Sequence, residues 1–125
     1  MYGPTAEQHL KQPRNLGRIE QPDGVGHVEE PATDTQVTIY VRLGTDVHGA
    51  RVIQQARFRA FGCGGCIIAG SVATELVTGR TVASAADLDA AAILHALHDG
   101  LPTDQRYCAD LVAQALQLAL SDAGL

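Results

Sequence analysis

The sequence has no tryptophan, and aromatic residues of all kinds make up only 4% of its 125 residues. Because 46% of the residues are hydrophobic, the core is expected to consist of aliphatic side chains. The nine lysines and arginines are scattered and the net charge is −5, so no basic patch indicates nucleic acid as a partner. An acidic protein of this kind is better suited to basic protein surfaces.

No hydrophobic run approaches the roughly 18 residues of a membrane span, and the first residues lack the basic start and apolar stretch of a secretory signal. These absences predict a cytoplasmic protein that does not associate with a membrane. The three cysteines are an odd number, which argues against a disulfide scaffold and leaves thiols free to bind metal. Residues 1–125 are expected to form a single domain.

Hydrophobic alternation predicts strands in the first half of the chain. Over residues 36–43, aliphatic side chains alternate with Thr, Tyr and Arg, which is the two-residue period of a strand with one buried face. Residues 24–30 and 51–61 are expected to form two further strands, the latter pairing with 36–43 as an antiparallel hairpin. A short helix over residues 5–11, capped by Thr5, is predicted before them.

Helices are predicted after the strands. The first is expected to begin near Cys66 and to end at Val77, and Asp89 is expected to cap another over residues 90–98. The last helix is expected to begin near Tyr107, with an apolar stripe directed inward. Strands followed by helices indicate an α+β fold, in which a small three-stranded antiparallel sheet packs against several helices.

Two of the cysteines lie in a glycine-rich turn between the last predicted strand and the helix after it. Cys63 and Cys66 are separated by two residues, and Cys108 lies at the start of the final helix. Three cysteines are soft ligands suited to zinc or to an iron–sulfur cluster. The Cys-x-x-Cys spacing also serves thiol redox chemistry, and Cys108 considered alone is typical of a core residue.

The histidines form no comparable pattern. His95 and His98 are spaced to share a metal on one helix, but an exposed surface pair is the expected interpretation because no third ligand is near them in sequence. His9, His27 and His48 are expected at the surface or in turns.

Three segments and one cysteine, taken together, match a known family. The segments are Pro-Arg-Asn-Leu-Gly at 13–17, Ala-Arg-Phe through Gly-Cys-Gly at 56–64, and Val-Ala-Thr-Glu-Leu-Val-Thr-Gly at 72–79, followed by Cys108. They resemble the U-type iron–sulfur cluster assembly scaffolds, the IscU and NifU N-terminal group. The resemblance implies an α+β fold and a scaffold, not an enzyme, whose cysteines accept sulfur and iron. It also implies a cysteine desulfurase as sulfur donor and cluster-acceptor proteins as recipients.

The chain departs from the family pattern at its site. In the family's Pro-Ala-Cys-Gly-Asp turn, Thr33 stands in place of the first cysteine and Thr35 in place of the acidic residue. Tyr107 replaces the histidine before the third cysteine, and residues 101–105 replace the chaperone-recognition segment, so a dedicated Hsp70 chaperone is not an expected partner. Cys66 lies where the family has a small or apolar residue. It restores the number of cysteines to three, which indicates that the missing ligand has been relocated.

The leading hypothesis is a divergent scaffold or carrier that binds an iron–sulfur cluster, of the [2Fe–2S] type, through Cys63, Cys66 and Cys108. Asp34 is the predicted oxygen ligand, and zinc could take the place of the cluster because three thiolates and an oxygen satisfy it. An incomplete ligand set is compatible with a homodimer that shares the site. Two alternatives stay open: a cluster-free module that binds a desulfurase or regulatory partner, and a redox or sulfur-relay protein using Cys63 and Cys66.

Overall fold

The computed structural model describes residues 2–124. The strands of this region are β1 (Gly24–Glu30), β2 (Thr35–Thr45) and β3 (Arg51–Phe61). The helices are α1 (Pro4–Lys11), α2 (Gly64–Val77), α3 (Val82–Ala85), α4 (Ala90–Ala96) and α5 (Tyr107–Asp122). Two 3-10 turns, Pro31–Thr33 and Thr103–Gln105, precede β2 and α5. The order of elements confirms the predicted α+β fold.

The sheet follows the predicted alternation. It is antiparallel with the strand order β1-β2-β3, and Val37, Ile39 and Val41 of β2 are completely buried. β2 continues to Thr45, beyond the predicted end at Leu43. A bulge just before Leu43 bends the strand without ending its pairing with β3.

The core lies between the sheet and two helices. α5 packs across β1 and β2, and α2 packs on β3 and α5. β1 approaches α5 so closely that a Cβ on Gly26 would overlap the Ala115 carbonyl, and the buried ring of Phe58 in β3 occupies the space beside Gly70 in α2. The predicted inward face of α5 is buried as expected, and its members are Cys108, Leu111, Val112, Ala115, Leu116 and Ala119.

Three helix boundaries differ from the predictions. α1 begins at Pro4 and Thr5 does not cap it, because proline suits the first helical position, where no backbone N–H is needed. α2 begins at Gly64, before the predicted start, because Cys63 already has the extended backbone of an N-cap residue. α4 ends at Ala96, where tighter turn bonds replace the helical ones. No helix within residues 2–124 is long and apolar enough to cross a membrane.

His9 is buried, so its predicted surface position is wrong. It is 6% exposed, and its Nδ1 lies 2.7 Å from Ser71 Oγ. α1 packs on α2, and a polar side chain on the buried face of α1 needs a hydrogen-bond partner, which Ser71 provides. The other histidines are exposed, as predicted: His27, His48, His95 and His98.

Candidate functional site: a thiol cluster at two helix starts

The turn that carries the first cysteine is set by Gly62, directly after β3. Its φ of +106° lies in the left-handed region that glycine adopts without strain. A Cβ at this position would press on the Asp34 carbonyl and on Thr35. The chain therefore turns tightly against the polar turn before β2, and Cys63 follows as the N-cap residue of α2.

All three cysteines lie at the N-terminal ends of α2 and α5: Cys63 is the N-cap residue of α2, Cys66 is its third residue, and Cys108 is the second residue of α5. The Cys108 thiol lies close enough to the thiols of Cys66 and Cys63 for both to affect its pKa. A Cβ on Gly65 would lie 3.2 Å from the Cys108 sulfur, so glycine leaves the space that this thiol occupies. Cys66 and Cys108 are completely buried, whereas Cys63 is half-buried. Cys108 is thus the central member of the cluster, and Cys63 is the member that reaches the surface.

The environment of the cluster favours the protonated thiols. Burial raises the pKa of Cys63, although the Gly65 N–H donates to its sulfur and opposes that rise. The neighbouring Cys66 thiol, followed by burial, raises the pKa of Cys108 far above its ordinary range. A metal ion bound here has to displace these protons. Within the described part of the chain, no group of three or more His, Cys, Asp or Glu side chains is already arranged to hold a metal ion.

Three hydroxyl groups form a hydrogen-bonded chain beside the thiols. Thr33 Oγ1 lies 2.8 Å from Thr35 Oγ1, which lies 3.2 Å from the Tyr107 Oη. Tyr107 directly precedes Cys108 at the start of α5, and its hydroxyl is close enough to lower the pKa of the Cys63 and Cys108 thiols. Because Thr35 is buried and Thr33 is exposed, the chain of hydroxyls connects the surface of the polar turn with the thiol cluster.

A second polar pair, Tyr2 and Gln105, lies over the start of α2. The Tyr2 Oη donates to Gln105 Oε1 at 2.6 Å, which joins the segment before α1 to the 3-10 turn before α5. A Cβ on Gly64 would lie 2.9 Å from the Tyr2 Oη, and one on Gly65 would lie 2.8 Å from Gln105 Oε1. The sequence gives little signal for this pair, because its two members are 103 positions apart.

Asp34, the predicted oxygen ligand, is exposed and lies outside the thiol cluster. It adopts a left-handed φ of 53° after the first 3-10 turn and lines a shallow acidic depression with Glu29 and Glu30. Within residues 2–124, the groups that most affect the pKa of the Cys63 and Cys108 thiols include Gly65 and Tyr107 but not Asp34. The side-chain oxygen that acts on both thiols is therefore the Tyr107 hydroxyl.

A comparison with known families identifies the domain. The family described as the NifU-like N-terminal domain matches residues 1–123. The chain belongs to this family. Curated members of this NifU-like family are named as iron–sulfur cluster assembly scaffold proteins, in agreement with the resemblance that the sequence motifs carry.

Two relatives of this NifU-like chain illustrate the similarity. The bifunctional protein NifU/MnmA of Rubrobacter xylanophilus is 39% identical over 97% of the chain, which spans 24% of that protein. The iron–sulfur cluster assembly scaffold protein IscU 1 of Archaeoglobus fulgidus is 36% identical over 98% of the chain, which spans 76% of that protein. The chain therefore spans about a quarter of the first relative and about three quarters of the second.

Solved structures support the fold. A candidate scaffold protein for the SUF system from Fervidobacterium islandicum superposes with a TM-score of 0.70 at 20% identity, covering 95% of this chain and 96% of that one. A NifU-like N-terminal protein from Brucella abortus gives a TM-score of 0.55 at 18% identity, covering 97% and 81%. These matches confirm the predicted three-stranded α+β architecture.

The departures of this NifU-like chain from the family pattern are linked to one another. Thr33, Thr35 and Tyr107 replace the cysteine, the acidic residue and the histidine that the resemblance leads one to expect, and the same three residues form the chain of hydroxyls. They therefore amount to one local change of chemistry, from ligand groups to hydroxyls. The sequence does not reveal this link, because Thr35 and Tyr107 are 72 positions apart.

Proposed function

We propose that this protein is an iron–sulfur cluster assembly scaffold or carrier, not an enzyme, that receives iron and sulfide as cargo through Cys63, Cys66 and Cys108. The supporting observation is that the three cysteines lie at the starts of two helices, with the Cys108 sulfur against Gly65 in the first turn of α2. A [2Fe–2S] cluster is the proposed cargo. A cysteine desulfurase would supply the sulfur, and acceptor proteins would take the assembled cluster.

The donor chemistry fits this cargo. Thiolates are the ligands that iron–sulfur clusters prefer, and zinc accepts the same donors. Cys63 is the N-cap residue of α2, and Cys108 is the second residue of α5. The partial positive charge at a helix N-terminus stabilises nearby negative charge, so both helix starts favour thiolates once the cargo has displaced the protons.

Cys66 has a defined place in the proposal. It is completely buried and lies close enough to Cys108 to raise the pKa of that thiol, so it offers a third sulfur near the two that match the family pattern. Asp34 stays a proposed oxygen ligand, but its exposed position means that the turn before β2 must rearrange to bring its carboxylate to the cargo. The Tyr107 hydroxyl, which lowers the pKa of Cys63 and Cys108, is the alternative oxygen.

A cluster-free module is the second candidate. It is favoured by the hydroxyl chain at Thr33, Thr35 and Tyr107, and by the absence, among the described residues, of a group of ligands already arranged for a metal. Such a protein would keep the fold and bind a desulfurase or a regulatory partner without carrying a cluster.

Anaerobic reconstitution with iron and sulfide distinguishes the two. The scaffold proposal expects visible absorption bands and stoichiometric iron and sulfide, with Cys63→Ser, Cys66→Ser and Cys108→Ser each losing most of the bound iron. His95→Ala, which removes an exposed imidazole from α4, is the control and should bind as the unaltered protein does. A colourless product that contains no iron would contradict the proposal and favour the module.

Two further results separate the remaining alternatives. Zinc that stays bound after reconstitution would identify zinc as the ion that the thiols hold. Mild oxidation that joins Cys63 and Cys66 within one molecule, detected by mass spectrometry, would favour the redox hypothesis. If Cys66→Ser binds a full complement of iron, the proposed relocation of the ligand to that position is wrong.

A further inference from the structure

We propose that the hydrogen bond between Tyr2 and Gln105 is a latch over the thiol cluster, and that these two side chains control access to Cys63. The inference rests on the proposed function in one respect, since that function supplies the reason for regulating access. Cys63 is half-buried while the latch is closed, so opening it would widen the approach of a bulky sulfur donor or metal complex to the thiols.

The position of the latch follows from its two attachments. Tyr2 lies just before α1, and Gln105 ends the 3-10 turn just before α5, and their bond lies against Gly64 and Gly65 in the first turn of α2. At 2.6 Å it is a short hydrogen bond. Tyr2 and Gln105 are each half-buried. The latch is therefore at the surface, directly above the helix start that carries Cys63.

The two glycines of that helix start bring the latch into contact with it. A Cβ on Gly64 would be 2.9 Å from the Tyr2 Oη, and a Cβ on Gly65 would be 2.8 Å from Gln105 Oε1 and 3.2 Å from the Cys108 sulfur. The same small space thus receives both latch atoms and the central thiol. Any larger residue at either position would push the latch outward.

An electrostatic observation agrees with this proximity. Burial raises the pKa of Tyr2, and the charges of Cys63 and Cys108, when these are thiolates, raise it further. The phenol is therefore close enough to sense the charge of the cluster. Its hydrogen bond to Gln105 acts in the opposite direction.

The latch has the properties of a contact that opens readily. It joins two surface segments through one neutral hydrogen bond between half-buried side chains, and such a bond contributes modestly to net stability. Removing it should leave the fold intact and increase the rate at which reagents reach Cys63 by about 2- to 10-fold.

Alkylation of the metal-free protein at a fixed pH tests the latch. Peptide mass spectrometry would follow the rate of Cys63 modification by iodoacetamide and by a bulky maleimide. Tyr2→Phe, which removes only the hydroxyl, and Gln105→Leu should both react faster, with the larger increase for the bulky reagent. Tyr40→Phe is the matched control, because Tyr40 lies on β2 and pairs with Val25 and Arg57, away from the thiols.

A double variant separates a latch from a general loss of stability. If the two side chains act through one bond, Tyr2→Phe combined with Gln105→Leu should react no faster than the faster single variant, and its melting temperature should be no lower than that of the less stable single variant. Rates that multiply, or rates equal to those of the unaltered protein for both reagents, would overturn the proposal. Because no cluster is present, faster alkylation together with failed reconstitution would support the latch and contradict only the proposed function.

Discussion

Glycines are confined both at the seam between β1 and α5 and at the start of α2, and the atoms that confine them differ. At the seam between β1 and α5, a Cβ on Gly26 would overlap the Ala115 carbonyl and the Ala119 nitrogen, which are backbone atoms of a long helix. At the start of α2, a Cβ on Gly64 would meet the end of the Tyr2 side chain. The first space can change only if a helix moves, whereas the second changes when one side chain rotates.

The difference separates the part of the protein that fixes the fold from the part that handles cargo. α5 packs along β1 and β2 through completely buried residues such as Val112 and Leu116. The start of α2 has no side-chain cap, and its surroundings are polar side chains and thiols. A site that accepts and releases cargo has to rearrange, so adjustable side chains around a rigid seam suit that task.

The largest expected effect tests the rigid side of the comparison. Gly26→Ala should lower the free energy of unfolding by about 3 kcal/mol or more, because overpacking against backbone cannot be relieved by a rotamer change. Urea unfolding followed by circular dichroism measures it. Gly44→Ala is the control, since the nearest atom to a Cβ in that strand position is a side-chain carbon at 3.7 Å. Equal midpoints for the two variants would show that the seam is as adjustable as the thiol site.

The sequence predicts the rigid region well because its signals are local. Alternation over β2 and helical spacing along α5 each depend on neighbours in the chain, and the residues expected inside, such as Val37, Val41 and Leu116, are buried. The buried position of His9 is not predictable in this way. It depends on the packing of α1 on α2, where His9 meets Ser71, a residue 62 positions away in the chain.

Part of the site is also predictable, because cysteine spacing is a local signal in the sequence. Cys63, Cys66 and Cys108 can be named from cysteine spacing and from the resemblance, and the structure places them at the starts of α2 and α5. The latch and the hydroxyl chain cannot be named, since each is a contact between distant segments with no periodic or motif signal. The sequence therefore predicts which residues could act as ligands, but not which side chains position those residues.

A smaller effect is expected where α1, which follows Tyr2, is held on α2. The Arg14 N–H donates to Ser71 Oγ at 2.8 Å, which leaves the Ser71 hydroxyl free to donate to the neutral His9 ring. Burial, followed by the Arg14 charge, lowers the pKa of His9 below its ordinary 6.5, while Glu75 opposes this. Between the lowered pKa and 6.5 the unfolded chain binds more protons, so stability is complete above about pH 6.5 and falls as the pH falls.

Variants at this contact give the magnitude. Ser71→Ala should cost about 1–3 kcal/mol at pH 8, because it leaves the Arg14 N–H without its partner and removes the shorter of the two hydrogen bonds to the buried His9 ring. His9→Gln should remove the loss of stability just below pH 6.5 that the unaltered protein shows in urea unfolding. If the free energy of unfolding depended on pH in the same way for His9→Gln and for the unaltered protein, the neutral imidazole would not be what holds α1 on α2.

The smallest effect on stability, and the most direct test of the adjustable side, is expected for Gly64→Ala. Alanine suits a helix better than glycine by up to about 1 kcal/mol, and the added Cβ meets only the movable end of Tyr2, so the free energy of unfolding should change by less than about 1 kcal/mol. The displaced Tyr2 should at the same time leave Cys63 more accessible, as measured by alkylation of the metal-free protein. The two measurements are needed together. A rigid site would lose stability, as Gly26→Ala is expected to do, whereas an adjustable site would keep its stability while Cys63 reacts faster.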